Sequence, residues 1–125
     1  MKLHHLAIIC SDYSVSKAFY TQILGLDMIR EVYRAERQSY KLDLGLNGQY
    51  VVELFSFPHP PQRPSHPEAC GLRHIAFSVE DIEAQRATLL AKKIPCEPIR
   101  TDEWTDKKFF FTQDPDGLPI EFYEA

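Results

Sequence analysis

The chain has 125 residues, 44% of them hydrophobic and 12% aromatic, with a formal net charge of −4. That is enough to bury one core of ordinary domain size without disulfide staples, and the acidic balance excludes the basic footprint of a protein that binds nucleic acid or another polyanion. No apolar run approaches the roughly 20 residues of a membrane span.

The three cysteines, Cys10, Cys70 and Cys96, share no metal-type spacing, and an odd number cannot close a disulfide framework. Together with an N-terminus that lacks a signal peptide's apolar core, this predicts a reducing, cytoplasmic location.

Residues 3–10 read as a strand ended by Ser11-Asp12. A helix follows, with Val15, Ala18, Phe19, Gln22 and Ile23 at three- and four-residue steps, Asp12 or Ser14 as cap and Gly25 as a left-handed stop. Asp27–Tyr33, Ser39–Leu44 and Gln49–Phe57 read as strands, the last two joined through the hairpin dipeptide Asn47-Gly48. The first module, residues 1–57, is therefore β-α-β-β-β.

Residues 58–70 form a linker, since five prolines between Pro58 and Pro67 exclude a helix or a central strand. His59 and His66 lie in it and read as solvated loop residues. The second module, residues 71–125, repeats the plan. Leu72–Val79 is a strand, and Ile82–Lys93 is a helix capped by Asp81 with Ile82, Leu89 and Leu90 buried. Cys96–Arg100, Lys107–Gln113 and Leu118–Tyr123 are strands, with Asp116-Gly117 turning the last hairpin.

The repeat is exact enough to count. An offset of 69 residues carries His5 onto His74, Asp12 onto Asp81 and Gly48 onto Gly117. One deletion after the turn then carries Glu53 onto Glu121.

Strand alternation sorts the faces. Leu6, Ile8, Val52 and Leu54, and in the second module Ile75, Phe77, Val79, Ile120 and Phe122, belong under the helices. His5, Ala7, Ile9, Val51, Glu53 and Phe55, with His74, Ala76, Glu121 and Tyr123, fall on the uncovered face. Taken singly, each Glu reads as exposed or Arg-paired and each His as a hydrogen-bonded core residue. Two His and two Glu in matching places read instead as ligands for a divalent ion of intermediate hardness, such as Zn, Ni, Co, Mn or Fe.

The segments LHHLAII, SKAFYTQILGL, VVELFSFP, GLRHIAFSVEDIEA and TDKKFFFTQDPDGLPIEFYE resemble the vicinal oxygen chelate superfamily, and within it the glyoxalase I (lactoylglutathione lyase) branch. The resemblance spans nearly all of residues 1–125 as one domain. It implies an α+β fold whose two modules form a cupped eight-stranded mixed sheet with helices outside, commonly as a homodimer. It also implies one divalent metal ion per site on His5, Glu53, His74 and Glu121.

The implied chemistry is isomerisation of an α-hydroxycarbonyl substrate of the hemithioacetal type through an enediolate. Glu121 is the expected base and Glu53 a ligand and second proton shuttle, although the two glutamates are pseudo-symmetric and the sequence does not rank them. A dioxygenase, an epimerase, or a binding protein that holds a small molecule without turnover are the alternatives within the same superfamily. In the glutathione-dependent branch an Arg follows the first ligand by four residues and an Asn follows the second by four; here those places hold Ile9 and Phe57, which cannot answer a carboxylate. Arg100, Lys107 and Lys108 read as solvated strand-edge charges, and Trp104 and Phe109–Phe111 as packing or pocket residues.

Overall fold

Each half of the chain builds a four-stranded mixed sheet with the same strand order. The computed structural model describes residues 1–125 as two units, Met1–Gln62 and Arg63–Ala125. The first contains β1 (Leu6–Cys10), α1 (Tyr13–Ala18, continued by a π-helical turn over Phe19–Ile23), β2 (Asp27–Arg34), β3 (Ser39–Leu46) and β4 (Gln49–Ser56). The second contains β5 (Ile75–Val79), α2 (Ile82–Ala91), β6 (Arg100–Thr101), β7 (Lys108–Gln113) and β8 (Pro119–Glu124).

The sheets are ordered β1-β4-β3-β2 and β5-β8-β7-β6. In each, the first strand runs parallel to the last, and the remaining pairs are antiparallel. The fold is α+β with two βαβββ modules, and its eight strands are hydrogen-bonded as two sheets of four rather than as one ladder of eight. No helix is long and apolar enough to cross a membrane.

Local chemistry accounts for the element ends. Asp12 Oδ1 accepts from the Val15 amide at 3.2 Å, and Asp81 Oδ1 from the Ala84 amide at 2.9 Å, so both helices start where the repeat places a cap. Such a cap contributes about 1 kcal/mol. The first helix ends on Gly25 at φ 77°, with the Leu26 amide reaching back to the Tyr20 carbonyl at 3.0 Å, one residue farther than a Schellman six-to-one bond because the helix ends in a π-helical turn. α2 ends at Ala91 rather than Lys93, which itself takes the left-handed conformation at φ 61°.

β6 is also shorter than the predicted 96–100 strand. Pro95 and Pro98 have no amide to donate, and the Glu97 amide alone bonds Phe111 there, at 2.8 Å.

Both hairpins turn where glycine is placed, by different routes. Asn47 and Gly48 both have positive φ, 52° and 77°, which gives a type I′ turn. In the second hairpin Gly117 alone is left-handed, at φ 83°, and its amide bonds the Asp114 carbonyl at 3.0 Å. That loop is a β-turn over 114–117, held by the buried Asp114 carboxylate, which accepts from the Asp116 and Leu118 amides at 2.9 Å each.

The hydrophobic parity is as the alternation predicts. Ile8, Leu42, Leu44, Val52 and Leu54 are buried in the first unit, and Ile75, Phe110, Ile120 and Phe122 in the second. Each such side chain contributes roughly 1.5–3 kcal/mol by leaving water. On the helices the buried face is Ser16, Phe19 and Tyr20, then Ile82 and Leu89; Val15 and Leu90 are exposed instead. The π-helical turn rotates the first helix's stripe, so a strict 3.6-residue period misplaces Val15.

Candidate metal centre

The last strand of each unit carries a glutamate beside the first strand's alanine. Ala7 is in register with Glu53 across β1 and β4, and Ala76 with Glu121 across β5 and β8. His5 and His74 stand just before those first strands, and each meets its own unit's glutamate. His5 Nε2 lies 3.9 Å from Glu53 Oε2, and His74 Nε2 lies 3.2 Å from Glu121 Oε2. The four residues thus form two His–Glu pairs, one per unit, and the chain contains no group of three or more His, Cys, Asp and Glu side chains placed to hold a metal ion.

A half-site of this kind fits a divalent ion. Two ligands sharing one such ion at roughly 2.1 Å would have donor atoms about 3.0–3.4 Å apart. The second pair already has that separation, and the first is slightly wider. The Glu121 side chain is only 14% exposed, and its ion-pair partner is a histidine. A carboxylate has about four lone-pair sites, and the one facing His74 leaves others for a cation.

The two glutamates have different surroundings. Across β3 and β4, Glu53 is in register with Asp43, and across β7 and β8, Glu121 is in register with Phe111. Asp43 is 1% exposed and takes charge-assisted bonds from Lys41 at 2.6 Å and Arg30 at 2.9 Å. Burial pushes its carboxyl up, but hydrogen bonds from Lys41, Tyr50 and Arg30 outweigh that and hold it below the usual range.

Tyr50 joins the two carboxylates, its hydroxyl lying 2.8 Å from Asp43 Oδ1 and 2.9 Å from Glu53 Oε2. Burial, then the hydrogen bonds to both carboxylates, push the phenol well above its ordinary value, so it remains a hydrogen-bond donor. Lys41 Nζ is also 3.3 Å from Glu53. Glu121 instead has His74, whose ring meets Phe111 edge-on at 5.3 Å.

Tyr50 reaches Glu53's face because the β3–β4 ladder slips by one residue. Leu44 faces Val52, while Gly45 faces Tyr50, leaving Val51 as a β-bulge. This is the extra residue the repeat arithmetic found after the turn. Simple alternation puts residues 50 and 53 on opposite faces, so parity hides Tyr50. Asp43 and Lys41 are missed for another reason, since only the pairing register sets them opposite Glu53. His4, whose Nδ1 is 2.7 Å from His5 Nδ1, was legible only as a neighbour of the chosen histidine.

Cavities open beside both pairs. The first unit's, about 510 Å³, is lined by His4, His5, Lys41, Tyr50 and Glu53 among others. The second, about 750 Å³, reaches from His74 to Arg100. His66 borders this cavity as an exposed loop residue. Trp104 is 87% exposed and packs in no core. Cys96 lines the second cavity, where burial pushes its thiol up, only partly opposed by Arg86 and Thr112.

The paired βαβββ architecture agrees with the match to known proteins. The chain belongs to the Glyoxalase/Bleomycin resistance protein/Dioxygenase superfamily, whose model matches residues 2–122. It is 63% identical to the uncharacterized protein YaeR of Escherichia coli K12 over 123 residues, covering 98% of this chain and 95% of that one. It is 29% identical to a lactoylglutathione lyase of Haemophilus influenzae over 133 residues, covering 99% and 93%. The crystal structure of a glyoxalase family protein from Enterococcus faecalis superposes with a TM-score of 0.92 at 48% identity, covering 98% and 97%.

Proposed function

We propose that this protein is a divalent-metal-dependent glyoxalase I-like lyase acting on an α-hydroxycarbonyl of the hemithioacetal type. The observation that carries this reading is the duplicated His–Glu pair, His5 with Glu53 and His74 with Glu121, each on its sheet's open face. The likeness to the Haemophilus influenzae lactoylglutathione lyase supports the reaction class. The four side chains would hold the ion, zinc or nickel by their mixed nitrogen and oxygen donors, and a homodimer would bring the pairs of two chains together.

Such an ion, when bound, supplies Lewis-acid stabilisation of negative charge on neighbouring substrate oxygens. The chain's own residues divide the remaining work. Glu121 takes the proton from the carbon beside the carbonyl and returns it to the adjacent carbon, because its carboxylate has no lysine or arginine bound to it. Glu53, held by Tyr50 and Lys41, serves as the fixed ligand and as a second shuttle. Ile9, 56% exposed on β1, offers an apolar wall where the glutathione-dependent branch has an arginine, so a thiol adduct other than glutathione's is the expected substrate.

Metal analysis of the purified, reconstituted protein should find about one divalent ion per chain, the stoichiometry of one site per protomer. Methylglyoxal with a panel of thiols should then be isomerised. Absence of bound metal would remove the enzyme reading, and metal without turnover would remove the named reaction. Glu121→Gln should keep its metal and lose roughly 100-fold or more in kcat; full turnover would shift the base elsewhere.

A further inference from the structure

The first unit keeps a lysine against the glutamate that its half-site needs for an ion. Three side chains meet Glu53 on one oxygen, Oε2: the Tyr50 hydroxyl at 2.9 Å, Lys41 Nζ at 3.3 Å and His5 Nε2 at 3.9 Å. A carboxylate oxygen has about two lone-pair sites, so Tyr50 and Lys41 between them occupy the oxygen that faces His5. The Lys41 and Glu53 side chains are 22% and 15% exposed, so water and salt screen their contact only in part.

Lys41 is anchored independently of Glu53. Its Nζ lies 2.6 Å from Asp43 Oδ1, the closer of its two carboxylates. The Tyr50 hydroxyl reaches the same Asp43 oxygen, and Arg30 takes Oδ2 through Nε at 3.1 Å and Nη2 at 2.9 Å. Glu53 therefore has a cation beside it that is fixed by a second, buried carboxylate. The other unit lacks this arrangement, since Phe111 stands opposite Glu121 where Asp43 stands opposite Glu53.

We propose that Lys41 is a positioning residue that stands in for the divalent ion: it holds Glu53 Oε2 in the metal-free chain and yields that oxygen, keeping Asp43, when the ion binds. This deepens the metal-dependent reading and rests on it for the ion. Tyr50 is neutral and tolerates an ion on the same carboxylate, whereas an ammonium and a divalent cation repel each other at that range. Lys41 is the partner that moves, because its closer carboxylate is Asp43. The competition is reciprocal: whatever Lys41 contributes at Glu53 without the ion is subtracted from the ion's binding there.

The test compares the wild-type protein with Lys41→Gln, which keeps a hydrogen-bond donor for Asp43 without the charge, and with Lys41→Arg, which keeps the charge. Zinc affinity, read by competition with a chromophoric chelator, should rise roughly tenfold in Lys41→Gln and stay close to wild type in Lys41→Arg. Metal-free Lys41→Gln should melt roughly 3–5 °C below the wild-type protein, and excess zinc should narrow that gap. A lysine that served only the packing of β3 would lower stability and zinc affinity together. Unchanged or weaker zinc binding by folded Lys41→Gln would therefore overturn the proposal, as would a Lys41→Arg that binds zinc as tightly as Lys41→Gln. If Lys41→Gln does not fold, crystal structures of the wild-type protein with and without zinc decide. With zinc, Lys41 Nζ should stand beyond the roughly 4 Å of an ion pair from Glu53 Oε2 while staying on Asp43; a lysine that keeps both carboxylates would overturn the proposal. Zinc bound by neither the wild-type protein nor the variants would remove the metal reading itself, and the role of Lys41 with it.

Discussion

Tyr50 has one hydrogen and two carboxylates within reach, Asp43 at 2.8 Å and Glu53 at 2.9 Å. Its hydrogen is shared between the two, so it supports Asp43 beside Lys41 and Arg30 and also helps fix the direction of Glu53. Outer-shell partners of this type are worth about 10–100-fold in metal affinity. Tyr50→Phe is therefore expected to raise the metal dissociation constant of the purified protein by roughly tenfold, read by competition with a chromophoric chelator. An unchanged constant in a folded variant would mean that the phenol serves only the packing of β4. The sequence offered Glu53 through the repeat but not Tyr50, because one bulged residue, Val51, inverts the parity on which face assignment depends.

At the scale of elements, α1 is tied to β2 by a polar staple. Glu31 accepts from Lys17 at 2.7 Å and from the Tyr13 hydroxyl. Hydrogen bonds from Lys17 and then Tyr13 hold the Glu31 carboxyl below its ordinary 4.5. Burial and then the bond to Glu31 push the Tyr13 phenol well above its ordinary value. Since the folded Glu31 is the stronger acid, its contribution is present above the unfolded value of 4.5 and is lost as pH falls through the lower folded value. Glu31→Gln should cost under about 1 kcal/mol at pH 7, because the pair is partly solvated. In urea titrations the gap to wild type should narrow steadily below pH 4.5. A gap that does not narrow as the pH falls below 4.5 would assign the staple to shape rather than charge.

Caps and turns were the most legible elements, since Asp12, Asp81, Gly25 and Gly48 act through chemistry local to their own segment. The 96–100 strand and the Val15 face were less so: prolines and a π-helical turn break the periods on which such readings rest.

On the scale of the whole molecule, duplication made the two His–Glu pairs visible, because an offset of 69 residues aligns the ends of two modules that alternation alone would treat separately. What the offset could not supply is which copies of the pair belong to one site. Each unit offers two ligands, and a tetradentate site on the proposed homodimer would take one pair from each chain. Mixing variants distinguishes this from a site built within one chain. His5→Ala/Glu53→Ala removes the first pair and His74→Ala/Glu121→Ala removes the second, so neither homodimer holds a complete set. If sites form between chains, a heterodimer contains one doubly damaged site and one intact site. Random re-pairing at equal amounts makes about half the dimers mixed, so metal content and turnover should recover to about a quarter of wild type after denaturation and joint refolding. Sites confined to a single chain would give no recovery, since every chain in the mixture lacks one pair.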